Sequence, residues 1–139
     1  MSDTLADISS AIMSRIASGF SAIPVAYPGK TVNMDGISHA LQVDLNFEAR
    51  KRAALGAAAG SRIDGQVVLT VFARQDATAQ VGTAALEGYL DDLSDLFPSA
   101  LNIAAGAKTL CFKEPSPGGT QDLEGWVGRQ LRCPFYLFT

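Results

Sequence analysis

The sequence has few of the residues on which metal and redox sites depend. Its 139 residues include two cysteines, Cys111 and Cys133, and one histidine, His39. No CxxC spacing is present, and one histidine with two distant cysteines does not make a zinc site of the usual kind. Two cysteines are also too few for a disulfide scaffold. We therefore expect both to be reduced and to act as small apolar side chains.

Long apolar runs and an excess of basic charge are also missing. No stretch reaches the roughly 18 consecutive apolar residues of a membrane-spanning helix, and we expect neither a membrane partner nor an export signal. A net charge of -3 argues against a general nucleic-acid binder. The 47% of hydrophobic residues is typical of a chain that folds, and its length suits a single domain over residues 1–139.

The sequence yields no catalytic, metal-binding or cofactor motif. Residues 29–31 read GKT, as at the end of a phosphate-binding loop, but Pro24 occupies the position of that motif's first glycine. His39 has no nucleophile motif beside it. The acids between Asp91 and Asp95 fall opposite a leucine stripe, which favours a solvated helix face. We expect a protein that is not an enzyme and needs no cofactor or metal.

Apolar periodicity predicts two helices and five strands. Period-two alternation indicates the strands, and a spacing of three or four residues indicates the helices. The strand at 65–74 is apolar on both faces, so it is either central or covered on its second face by a helix or another subunit. Pro134 favours an edge position or a bulge in the last strand. The predicted helices are 4–18 and 76–97, and the predicted strands are 25–27, 41–47, 65–74, 108–114 and 126–138.

This order, α-β-β-β-α-β-β, predicts an α+β fold. Two helices would pack on one face of a mainly antiparallel sheet of roughly four to five strands. Between two of these strands lies "EARKRAALGAAAGSRIDG", residues 48–65, which we interpret as a long loop within a hairpin. Loops of this length in a compact domain are commonly functional or mobile.

The layout resembles the tail terminator proteins of siphophages, the head-proximal minor tail proteins. The resemblance covers nearly the whole chain and is carried by "IPVAYPGK", by "LQVDLNF" and above all by "DGQVVLTVFARQDATAQVGTAALEGYLDDLSDLF". In the turn of "IPVAYPGK" this sequence has Tyr27 and Pro28, where many relatives have a tryptophan and an asparagine or acid.

This resemblance implies a structural virion protein. It would form a homohexameric ring that caps the head-proximal end of a long non-contractile tail tube, stops tail polymerisation and offers the surface to which the head docks. The implied partners are other copies of the chain, the major tail protein and the head connector, with DNA only passing through the lumen. Assembly would take place in the host cytoplasm.

Two sets of residues are candidates for contacts in such a ring. Arg50, Lys51, Arg52 and Arg62 would lie on the long loop and face a neighbouring subunit, the tube or the lumen; simple solvation of these cations is the alternative. Phe72, Trp126 and Tyr136 are expected in an interface or in a core strand.

Two other functions are compatible with the sequence. A head-completion or connector protein of the same virion would share this size and composition. An enzyme or small-ligand module would need a pocket between helix and sheet, for instance around Phe72 and Trp126.

Overall fold

The fold is seen in a computed structural model that describes residues 4–21, 23–27, 39–52, 61–74, 83–123 and 126–138. Its elements are, in chain order, α1 Thr4–Gly19, β1 Val25–Ala26, β2 His39–Arg52, β3 Ser61–Arg74, α2 Thr83–Leu96, β4 Asn102–Ala105, β5 Lys108–Phe112, β6 Ser116–Leu123 and β7 Trp126–Phe138.

The α+β class is confirmed, whereas the predicted strand number and element order are wrong. The order is α-β-β-β-α-β-β-β-β, and the sheet has seven strands rather than four or five. The two additional strands are β4 and β6. β4 has only four residues, and β6 begins with the sequence SPGG, which reads as a turn. The start predicted for the second helix, residues 76–82, lies outside the described residues.

The sheet is built around β3 and β7. The strand order is β1-β2-β3-β7-β5-β4, and β6 also pairs with β7. Only β1 runs parallel to its neighbour β2; the other pairs are antiparallel. β3 is central, as its doubly apolar sequence predicts.

Both helices lie on one face of this sheet. Alternate residues of the strands, such as Leu41, Leu69 and Leu131, face the helices and join one buried core. We call this side the helix face and the opposite side the open face. From the helices, the core receives Ile8, Ile12 and Ile16 of α1 and Leu86, Leu90 and Leu93 of α2.

The interpretation of residues 48–65 as one long loop is wrong, because both neighbouring strands extend into this segment. β2 continues to Arg52 and β3 begins at Ser61, so the cations stand on paired strands: Arg50 opposite Ile63 and Lys51 opposite Arg62. A register shift between Phe47 and Arg50 marks an irregularity such as a β-bulge. Pairing with a neighbouring strand extends the hairpin through residues with little intrinsic strand preference. Residues 53–60 lie outside the described part of the chain.

The edge position considered for Pro134 is also wrong, because β7 is a central strand. Pro134 lies where β7 changes partners, after the pairing of Arg132 with β6 and before that of Phe135 with β5. Its carbonyl accepts a hydrogen bond from the Lys113 amide at 2.9 Å. An N–H at this position would point to the same side as the carbonyl, toward Lys113 and away from β3. The proline therefore removes no hydrogen bond between β7 and β3.

Gly65 provides the first stability test, because a side chain has no room there. A Cβ at this position would stand 2.6 Å from the Asn46 carbonyl oxygen and 2.7 Å from the Phe135 ring. We expect Gly65→Ala to lower the free energy of unfolding by about 1–3 kcal/mol, measured by urea denaturation. Gly88→Ala is the matched control. Nothing lies within 4 Å of its added Cβ, and the better helix former should raise stability by about 1 kcal/mol. Equal effects of the two substitutions would contradict this packing.

Cys133 provides a pH-dependent test. Both cysteines are free, and burial in the core raises the pKa of the Cys133 thiol from 9.0 to about 12. The unfolded chain therefore loses this proton at lower pH than the folded chain does, and stability should fall as pH rises from 9.0 toward 12. Urea denaturation across this window should show a shallower decline for Cys133→Ala than for the unmodified chain. Parallel declines would contradict the prediction.

Candidate interaction surface

The open face is the side of the sheet on which neither described helix packs. Both helices pack on the opposite side of the sheet. Even so, the centre of the open face is largely shielded from solvent: Val68 is 7% exposed and Thr70 is 3% exposed. Polar and aromatic side chains surround these two residues. Their arrangement divides the open face into two ends and a groove between them.

One end of the open face bears a cluster of charged and aromatic side chains. The Arg62 Nε donates to the Asp64 Oδ1 at 2.7 Å, and its guanidinium carbon lies 4.7 Å from the centre of the Tyr136 ring and 6.0 Å from that of Phe138. The Lys113 Nζ approaches Tyr136 from 5.9 Å. Tyr136 and Phe138 meet edge to face. We call Arg62, Asp64, Lys113, Tyr136 and Phe138 the cation–aromatic patch.

Strand register assembles this patch. Arg62 pairs with Phe138 and Asp64 pairs with Tyr136, so alternation on two adjacent strands brings all four side chains to one face. Asp64 is only 8% exposed, and a buried carboxylate needs a charged or hydrogen-bonding partner. Arg62 supplies that partner while its flat guanidinium covers the aromatic rings. Phe138 nevertheless stays 52% exposed.

The other end of the open face carries a second arginine–aromatic pair. The Arg74 guanidinium lies 4.6 Å from the centre of the Trp126 ring. Beside it the Phe72 ring covers Gly128, where a Cβ would come within 2.7 Å of that ring. Between the two ends runs an open polar groove of about 300 Å³, lined by Asp44, Asn46, Gln66, Val68, Gln130 and Arg132.

The structure separates the candidate residues of the sequence into two groups. Arg62 and Tyr136 come together in the patch, and the backbone of residues 50–52 runs beside Arg62 on β2. Phe72 and Trp126 lie at the opposite end. A ligand pocket between helix and sheet around these two residues is wrong, because both side chains project from the open face, away from the helices. The interface roles of all seven residues stay predictions.

Two residues of the patch were not predicted from the sequence. No motif in the sequence marks Asp64 or Lys113, and the pairing of Arg62 with Asp64 was not predicted. The available signal was the alternation in "RID", which puts opposite charges on one face once the segment is a strand. That signal was hidden because the segment was interpreted as loop.

The side chains at this surface are of kinds that make contacts between proteins. Within the described residues, no group of three or more His, Cys, Asp or Glu side chains could hold a metal ion. No described helix is long and apolar enough to cross a membrane. Arginine and aromatic side chains are enriched where proteins bind one another, and the patch combines both.

Comparison with known proteins identifies the fold alone. No protein-family model matches the sequence, and no curated protein matches it either. A solved structure, whose name states neither activity nor partner, superposes with a TM-score of 0.68 at 18% sequence identity. The match covers 97% of this chain and 95% of that one. The architecture described above is therefore shared with another protein over its full length.

The pairing of Arg62 with Asp64 makes a testable contribution to stability. Arg62→Met keeps the apolar stem but leaves the carboxylate of Asp64 without its partner, and should lower the free energy of unfolding by about 1–3 kcal/mol. Adding Asp64→Asn should recover part of this loss, because the uncompensated charge disappears. Urea denaturation measures both. Arg132→Met, at an exposed arginine of the groove, is the control and should change stability by no more than about 0.5 kcal/mol. Additive effects at Arg62 and Asp64 would contradict the coupling.

Proposed function

We propose that this chain is a structural virion protein that caps the head-proximal end of a long non-contractile phage tail tube. Copies of the chain form a ring, which ends polymerisation of the major tail protein and offers the docking surface for the head. The proposal rests on the resemblance of residues 64–97 to tail terminators. These residues form β3, at the centre of the sheet, and α2, which packs on it.

The cation–aromatic patch is the structural observation that favours an assembly role. Phe138 and Phe47 are exposed on opposite faces of the same end of the sheet, where residues 50–52 of β2 pair with residues 61–63 of β3. Exposed aromatic rings next to arginines suit a surface that is buried when proteins assemble. A ring requires a heterologous contact, in which one surface of a subunit meets a different surface of its neighbour.

A capping experiment tests the proposal. Tail tubes polymerised from the matching major tail protein should stop growing when this protein is added, and negative-stain images should show extra density at one end only. Tubes that keep growing, with no extra density at either end, would contradict the proposal. Labelling the protein in assembled particles separates the two virion functions, because a head-completion protein would remain with heads that lack tails.

The hairpin cations provide a residue-level test of the same function. Arg62 is unsuitable because its substitution also disturbs Asp64, so the informative variant is Arg50→Ala/Lys51→Ala/Arg52→Ala. We expect at least a tenfold loss of tube capping with an unchanged midpoint of thermal unfolding. Lys108→Ala/Arg132→Ala removes two positive charges elsewhere on the sheet and should cap normally. Normal capping by the first variant would remove the hairpin from the mechanism.

A further inference from the structure

The outer surface of α2 is acidic without any balancing charge in the helix itself. Glu87, Asp91, Asp92 and Asp95 are all exposed, and the helix contains no lysine or arginine. Glu87 and Asp91 are four residues apart, as are Asp91 and Asp95, so like charges are neighbours on the helix surface. The last turn is already the negative end of the helix dipole, yet it has acidic rather than basic residues. A cationic partner surface would relieve this repulsion.

Gly88 adds a second, independent feature to this surface. It lies inside α2, where glycine weakens a helix, and it is exposed with nothing within 4 Å of an added Cβ. Helical spacing places it one turn before Asp91 and Asp92. Packing within the described residues gives no reason for a glycine here. It leaves a bare strip of backbone against which a flat side chain can lie, beside the acids.

The cation–aromatic patch has the complementary properties. Arg62 and Lys113 lie in it. On β2, Lys51 pairs with Arg62 and so belongs to the same face, whereas Arg50 pairs with Ile63 and belongs to the helix face. The three cations on the face of the patch, set against Asp64 and Glu114, leave a charge of +1, whereas the four acids of α2, set against Arg129 in the adjoining cleft, leave -3. Phe138 supplies the exposed flat ring. Charge and shape therefore match between two surfaces of the same chain.

These two surfaces do not meet within one molecule. Arg62, Tyr136 and Phe138 alternate along their strands with Ile63 and Leu137, which face the helices. The patch therefore lies on the open face and points away from the helices, while the acids of α2 are exposed on the other side of the sheet. Only a second copy can bring patch and helix together, and it does so head to tail.

We propose that the cation–aromatic patch of one copy binds the acidic surface of α2 in the next copy, with Phe138 lying against Gly88. The contact buries the exposed ring and offsets part of the charge of α2. It leaves a free α2 surface on the first copy and a free patch on the next, so that further copies can add. It specifies the contact in the ring and rests on the proposed function for that ring. Self-association in solution, without tail tubes, tests the contact separately.

Charge reversal on each side, followed by mixing, is the decisive experiment. Asp92→Lys/Asp95→Lys reverses the helix surface away from the cleft that Glu87 and Asp91 form with Arg129. Lys113→Glu in the patch, combined with Lys51→Glu opposite Arg62 on β2, reverses the charge of this surface and keeps the Arg62–Asp64 pair. Each variant alone should self-associate at least tenfold more weakly than the unmodified chain in sedimentation velocity. An equimolar mixture should regain association, because each variant then meets an opposite charge on the other.

Two controls separate the contact from general charge effects. Lys108→Glu/Arg132→Glu makes the same charge change as the patch variant, outside both surfaces, and should associate like the unmodified chain. Gly88→Leu keeps every charge but fills the strip, and should weaken association. Rising salt should weaken the unmodified assembly, since the screening length falls from about 10 Å at 0.1 M to about 3 Å at 1 M.

Three results would overturn the contact: an unmodified chain that stays monomeric at its solubility limit, single variants that associate normally, or a mixture that does not recover. Tube capping distinguishes this failure from failure of the proposed function. A chain that caps tubes but shows no recovery on mixing would retain the function and use other surfaces.

Discussion

The pairing of β3 with β7 is the constraint on which the rest of the structure depends. It runs without a break from Arg62 opposite Phe138 to Arg74 opposite Trp126. A shift of one residue would turn Leu69 and Leu131 out of the core and bring polar neighbours in. The register is therefore fixed by the burial of the helix face. The open face inherits that register, although its own side chains could tolerate others.

The consequence is that stability and recognition are encoded on alternate residues of the same strands. Ile63 and Leu137 secure the pairing through the core, and the residues beside them, Arg62, Tyr136 and Phe138, are thereby held in place on the opposite side. A surface placed on strands in this way is more rigid than one built on loops. The Arg62–Asp64 pair adds local order, because a buried carboxylate fixes the arginine that covers both rings.

The sequence predicted those elements in which one kind of periodicity extends over many residues. Leu41, Val43 and Leu45 alternate clearly with polar residues, and Ile8, Ile12 and Ile16 repeat at helical spacing, so β2 and α1 could be predicted. The extension of β2 through "RKR" could not, because cations have little strand preference and the neighbouring strand supplies the reason to continue. β6 was missed for a similar cause, since Pro117 and Gly118 read as turn residues until β7 is seen beside them. The patch was predictable only in part, because it depends on a strand register that no single segment specifies.

The residues that are least favourable for their own helix or strand lie on the two surfaces of the proposed contact. An exposed glycine inside a helix, acids at the negative end of that helix and a half-exposed phenylalanine on a strand each weaken an isolated subunit. The Leu86, Leu90 and Leu93 stripe of the same helix shows no such departure and packs as its pattern predicts. Sequences tend to violate local rules where function requires it. The proposed contact between copies would account for all three departures through one interaction.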